Sequence, residues 1–416
     1  MKLATLSLAA AALVPATHAS DVLEVDAAGG APFSTIQSAV AAAAPGDVVL
    51  VRAGAYSGDV TVTSGLTILG EGGVELSGHV TVQGLPASQF VLLSNVDLRP
   101  PRPAMGLPDN PGAVQIFDCD GRVRLQDCAI EGAPEQGDSL STGTYRPGGP
   151  GLEIDRALDV AAHDCTLSGG NGGSGAVVVS GNGGDAVRAR RTDDLALVRC
   201  VLRGGNAGFS DDGGDGGDAA RIVGSTRLRV GYSAFFGGRG GDRSVFGFFA
   251  GDGGDGLRIV GLQTVTDFEG IYAGGPAGHD PAGTSGDDGA PIRGGQVQSL
   301  DGHPSALAAP TAIRTGEAWT LGVFALEGDP VRVLRAGGPG FAFRPRFKQP
   351  LLLERPAPRR FAPDGVVPAG GMLDLPYAGA SLSAGDQAAV LWFQGEVRAG
   401  GRLTSPRAVV LLDSAF

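Results

Sequence analysis

The feature that most constrains this chain is a repeat between residues 149 and 289. Four segments open on the same short apolar alternation: Gly151-Leu152-Glu153-Ile154, Ala186-Val187-Arg188-Ala189, Ala219-Ala220-Arg221-Ile222 and Gly256-Leu257-Arg258-Ile259. Their anchors, Leu152, Val187, Ala220 and Leu257, are 35, 33 and 37 residues apart. A period of this length means stacked units that bury their apolar faces on one another, not one globular core. Each unit holds a second alternation. Val123 and Leu125 lead to Cys128, Val160 and Ala162 to Cys165, Leu195 and Leu197 to Cys200, and Leu228 and Val230 to Ser233. A two-residue period marks strands with one buried face.

Short strands at a constant period, with no helical pattern between them, predict the coils of a parallel β-helix, each about 4.8 Å above the last. Equivalent side chains then stack, so Cys128, Cys165 and Cys200 share an inward column. Both a Cys165–Cys200 disulfide and stacked free thiols fit that column. A glycine-rich tail closes each unit: 169–184, 204–217, 237–254 and 274–289. Each follows the same strand, so all are expected as loops on one edge, either as solvated spacers or as a binding edge.

Composition narrows the partners. The net charge is −12, yet 306–416 is net positive, so the acidity is concentrated in 21–305. Lysine occurs only at Lys2 and Lys348. Such a solenoid is unsuited to neutralising phosphates, which excludes nucleic acid as a partner. Residues 1–19 read as a secretory signal peptide: Lys2, the apolar run Leu6–Val14, then Thr17-His18-Ala19. That run is too short to span a bilayer, so no membrane insertion is expected. The expected location is outside the cell, in the periplasm or on the cell surface.

After about Asp301 the glycine tails stop and longer strand-like runs begin, among them Trp319–Leu326, Val331–Leu334, Ala388–Val397 and Ser405–Leu412. They predict a separate β-sandwich at 311–416. Its Arg344, Arg346, Lys348, Arg355, Arg359 and Arg360 form a basic stretch, either a solvated face or a dock for an acidic surface. At the other end, Ser34 with Gln37 is a capping-box pattern, and Ile36, Val40 and Ala43 then share a helix face over 34–44. A helix there caps the open end of the solenoid.

The text from Phe33-Ser34-Thr35-Ile36-Gln37-Ser38-Ala39-Val40 through Pro45-Gly46-Asp47-Val48-Val49-Leu50-Val51 to Gly54-Ala55-Tyr56 resembles the start of the pectin-lyase-like, right-handed parallel β-helix superfamily. With the repeats included, the resemblance spans about 21–300. It implies a fold rather than a reaction, because that superfamily hosts lyases, hydrolases, epimerases, esterases, adhesins and inert scaffolds. Against the polygalacturonase-like motifs, Thr192-Asp193-Asp194 offers one acid pair, and the other three motifs have no match. Gly278-His279-Asp280-Pro281 carries the letters of an epimerase-like motif in another order.

Two non-catalytic candidates remain. Arg188, Arg221 and Arg258 fall in one outward column, either a grip for an anionic glycan or a solvated row. Asp212, Asp215, Asp218, Asp252 and Asp255 lie in glycine-rich text similar to calcium-binding nonapeptides, and they are the candidate Ca²⁺ ligands. No other cofactor is expected. The reading is all-β: a right-handed parallel β-helix at 20–304 with an N-terminal capping helix, then a β-sandwich at 311–416. Its expected function is a secreted scaffold or binding protein for a polysaccharide or cell-surface component. The alternative is a polysaccharide lyase or glycoside hydrolase, with catalytic residues unknown.

Overall fold

The computed structural model describes residues 20–102, 110–135, 147–174, 180–224, 226–243, 249–261, 264–280, 285–299, 305–342, 351–353, 359–360, 365–378, 381–398 and 401–416. The signal-peptide reading and Arg344, Arg346, Lys348 and Arg355 lie outside them. The chain is a parallel β-solenoid followed by an antiparallel unit. Three ladders of short strands run the length of the solenoid.

One ladder, here the covered ladder, passes through Val48–Val51, Thr67–Gly70, Phe90–Ser94, the C-terminal halves of Val114–Gln126, Leu152–His163 and Val187–Val198, then Arg227–Gly231 and Thr264–Phe268. The second, the arginine ladder, contains Val60–Val62, Val80–Gln83, the N-terminal halves of those same long strands, then Ala220–Val223, Leu257–Val260 and Ile292–Arg293. Asp118, Arg156 and Arg191 break the three long strands into halves with left-handed φ of 51°, 54° and 49°. The third ladder contains Gly54–Ser57, Val74–Ser77, Asp97–Leu98, Ala129–Glu131, Thr166–Ser168, Val201–Arg203, Ala234–Phe236 and Ile271–Ala273.

The predicted register holds. Leu152 pairs with Val187, Val187 with Ala220 and Ala220 with Leu257. All four are fully buried. Gln126 pairs with His163 and His163 with Val198, while Ala129 pairs with Thr166 and Thr166 with Val201. Cys128, Cys165 and Cys200 therefore stack at the intervening corner. They are buried free thiols, and Cys128 and Cys200 each point Sγ at a carbonyl of the preceding coil. Burial raises the Cys128 and Cys165 thiols well above the ordinary range.

The capping helix is shorter than expected, Ile36–Ala42, and its N-cap is Thr35, whose side chain accepts from the Ser38 N–H at 3.2 Å. Gln37 does not close a capping box. Its Oε1 accepts the Thr61 N–H at 2.6 Å instead, tying the helix to the first coil. Ile36, Ala39 and Val40 are the buried face.

The C-terminal unit has two main sheets. Ala306–Ala308, Ala318–Phe324 and Met372–Ala378 form one; Ala312–Arg314, Pro330–Ala336, Arg359–Arg360, Ala388–Val397 and Arg402–Leu412 belong to the other. Trp319, Leu321 and Val323 from the first meet Val333, Phe393, Val409 and Leu411 from the second. The stretches 388–393 and 408–412 are apolar on both faces for a reason not read from the sequence. Their alternate residues Ala388, Trp392, Ala408, Val410 and Leu412 pack on Val48, Leu50, Leu69 and Leu92 of the covered ladder. A strand buried on both faces reads as a continuous apolar run. The unit is thus docked along the solenoid.

Candidate functional site

The described legs of the glycine tails are hydrogen-bonded with a period of three. Each has an outgoing leg and a returning leg of the form x-Gly-Gly: Ser168-Gly169-Gly170-Asn171, Arg203-Gly204-Gly205-Asn206 and Phe236-Gly237-Gly238-Arg239 leave, while Asp212-Gly213-Gly214-Asp215-Gly216-Gly217-Asp218 and Asp252-Gly253-Gly254-Asp255 return. Hydrogen bonds follow the same period. Gly213, Gly216 and Ala219 donate to Phe249, Asp252 and Asp255 carbonyls of the next coil, at 2.9, 2.8 and 2.9 Å. Gly217 donates to Gly205 of the facing leg at 2.8 Å. Asp215 and Asp218 donate to the side-chain Oδ1 atoms of Asn182 and Asp185 in the preceding coil, at 2.9 and 3.1 Å.

Three directions repeating every three residues, with no bond inside the leg, is the geometry of a polyproline-II-like helix. Here such helices pack side by side into a two-layered slab. Glycine is required by close approach: a Cβ on Gly205 would strike the Gly170 carbonyl, and one on Gly217 the Gly184 carbonyl. The x positions carry the side chains, outgoing legs on one side of the slab and returning legs on the other.

The five aspartates read as calcium ligands have a definite place in this slab. Asp212, Asp215, Asp218, Asp252 and Asp255 do lie on one edge, but in columns one triplet apart, about 9 Å along each leg. Their Oδ1 atoms accept backbone N–H groups: Asp212 from Phe249, Asp215 from Asp252, Asp218 from Asp255 and Asp255 from Ala290, at 3.2, 3.1, 2.8 and 2.8 Å. Calcium needs six or more convergent oxygens. Among the described residues no group of three or more His, Cys, Asp or Glu side chains is placed to hold a metal.

Asp185, Asp218 and Asp255 form a buried carboxylate column. Burial, with the like charges of Asp185 and Asp255, pushes the Asp218 carboxyl up to about 6; the Asp255 N–H and Arg258 oppose this.

Beside that column stand Arg188, Arg221 and Arg258 in register, as expected, and Arg293 extends the row. The row is partly neutralised. Arg188 pairs with Asp185 at 2.9 Å and Arg293 with Asp255 at 2.7 Å. Arg258 is only 3.9 Å from Asp218, and Arg221 has no ion-pair partner among the described residues. The exposed carboxylates of Asp215, Asp252 and Asp287 lie two triplets away, beyond a Debye length of about 8–10 Å.

The outer face of the covered ladder is closed to ligands where the C-terminal unit lies. Gln126 exchanges two hydrogen bonds with the Ala408 backbone, at 3.1 and 2.8 Å. Arg407 pairs with Asp127 at 2.7 Å. Arg124, with a fully buried side chain, pairs with Asp159 at 2.8 Å. His163 is buried beside them, and burial together with Arg124 and Arg407 lowers it to about 3. The acid pair Asp193-Asp194 is not a convergent site: Asp193 is exposed, while Asp194 is buried and ion-paired to Arg227 at 2.6 Å.

No protein-family model matches this chain, and no curated protein matches it by sequence. The period-three text was visible in the sequence, but hydropathy gives it no signal, because its order comes from backbone hydrogen bonds.

Proposed function

We propose that this is an exported binding scaffold of the pectin-lyase-like type, which holds an acidic glycan across the arginine ladder. The observation that carries the reading is the row Arg188, Arg221, Arg258 and Arg293, repeating at the strand spacing of about 4.8 Å on a face away from the C-terminal unit. Its middle members are the least compensated. Arg221 has no ion pair among the described residues, and Arg258 faces an Asp218 drawn toward its neutral form. Guanidinium groups suit carboxylate recognition through paired donors. The rigid coil supports this use, since a ligand orders little of the protein on binding.

The test is affinity electrophoresis of the full chain through gels containing polygalacturonate or alginate. The reading predicts retardation that falls at least tenfold in an Arg221→Ala/Arg258→Ala double variant and weakens with salt. Wild-type migration unaffected by either polymer would refute it.

A further inference from the structure

The two sides of the glycine slab differ in chemistry. On the returning side the x positions are mostly carboxylates: Asp215, Asp252 and Asp287 follow Asn182 in one exposed column. On the outgoing side they are mostly amides, guanidinium groups and aromatic rings, with Ser168, Ser174 and the single carboxylate Asp242 among the described residues. Asn171, Asn206 and Arg239 form one exposed column. Arg203 and Phe236 precede it by one triplet, and Phe209 follows it by one. Phe209 is 52 % exposed, and the Arg203 guanidinium lies over the Phe236 ring at 4.9 Å.

The orientation of the two asparagines is dictated by the slab. The Asn206 N–H points at the Asn171 amide at 2.9 Å, and the Arg239 N–H points at the Asn206 amide at 2.9 Å. A backbone N–H only donates, so the atom it meets on each asparagine is the oxygen. Each Nδ2 therefore faces away from the slab with both hydrogens unused among the described residues. The column ends by the same logic. Arg239 offers no acceptor to the next coil, and the residue there, Pro276, has no N–H to satisfy.

We infer that this outgoing face is a second binding site, distinct from the arginine ladder, which takes an uncharged polysaccharide. Fixed amide donors at neighbouring coils meet ring and hydroxyl oxygens. The exposed Phe209 ring, about 9 Å along the leg from Asn206, gives a sugar ring an apolar surface. Arg239 is tied to Asp242 at 2.5 Å, so the face offers donors with little net charge.

The decisive variant is Asn171→Asp/Asn206→Asp. Aspartate keeps the oxygen that accepts the next N–H, as Asp215 does for Asp252, and removes only the outward donors. The full chain is run through gels containing xyloglucan, galactomannan or dextran, and through polygalacturonate gels, with thermal melts on every variant. The expected result is wild-type retardation in at least one neutral gel. That retardation falls at least tenfold in the double aspartate variant and in Phe209→Ala, with melts unchanged, and survives in Arg221→Ala/Arg258→Ala. Neutral retardation equal in wild type and the aspartate variant overturns the site. So does no retardation in any neutral gel, even if polygalacturonate retards the chain. The converse, neutral binding without acidic binding, leaves this site standing and removes the arginine reading alone.

Discussion

The solenoid is extended sideways in two ways. On the covered ladder an antiparallel sheet lies down its Ala388, Trp392, Ala408, Val410 and Leu412 against Val48, Leu50, Leu69 and Leu92. Between the third ladder and the arginine ladder, the chain leaves each coil as glycine legs held by backbone carbonyls and by the side-chain oxygens of Asn and Asp. The first contact is apolar and area-driven, so it tolerates exchange of one hydrophobe for another. The second is held by hydrogen bonds repeating every three residues, so it favours an acceptor at x, and it leaves no room for a side chain at glycines such as Gly205 and Gly217. Side-chain volume is thus a graded variable in one region and an all-or-none variable in the other.

Substitutions can break this contrast. At the docked sheet, Trp392→Ala should cost about 3–5 kcal/mol, as truncation of a fully buried tryptophan does; Trp392→Phe should cost clearly less. In the slab, Gly205→Ala and Gly217→Ala should each cost about 3 kcal/mol or more, at the upper end of overpacking, because the atom in the way is a carbonyl oxygen fixed in a bond. Asn206→Ser, at an exposed x position, should stay within about 1 kcal/mol, the net worth of one hydrogen bond. Urea melts of these five variants check the contrast. A Gly205→Ala protein as stable as Asn206→Ser would remove it.

The contrast also explains what was legible in the sequence. The 33–37 residue period located Leu152, Val187, Ala220 and Leu257 in one buried column, because alternation leaves a hydropathic trace. The arginine row followed from the same register, lacking only Arg293. The slab left no such trace. Its triplets read as loops or as text similar to a calcium nonapeptide, because a sequence shows the charge of Asp212 through Asp255 but not the N–H each carboxylate accepts. The docking of 388–397 was also hidden. A run apolar on both faces shows that two layers cover it, but not that one of them is the solenoid.

A pH-dependent effect sharpens the electrostatics of the slab. The Asp218 carboxyl is raised above its ordinary value, so its charged form is the one the fold disfavours. Its contribution is most favourable below about pH 4 and is lost as pH rises through about 6. Asp218→Asn keeps an acceptor for the Asp255 N–H and should stabilise the protein at pH 7.5 by on the order of 2 kcal/mol. The gain should shrink toward nothing at pH 4. A gain independent of pH would show that Asp218 is not held toward its neutral form. The smallest expected effect is that of calcium: melts in millimolar CaCl₂ and in NaCl of equal ionic strength should coincide, because Asp212, Asp215, Asp218, Asp252 and Asp255 serve backbone donors in separate columns. A rise in melting temperature specific to calcium would show that the folded state binds the ion.

The central claim is that the glycine tails are a hydrogen-bonded slab, and amide hydrogen exchange tests it most directly. Peptides covering 203–209, 212–218 and 249–255 should exchange as slowly as the strand peptide 194–198, since Gly205, Gly213, Gly216, Gly217 and Gly254 each donate to a carbonyl at 2.8–2.9 Å. Exchange of those glycine amides at the rate of a solvated chain, with 194–198 protected, would contradict the account.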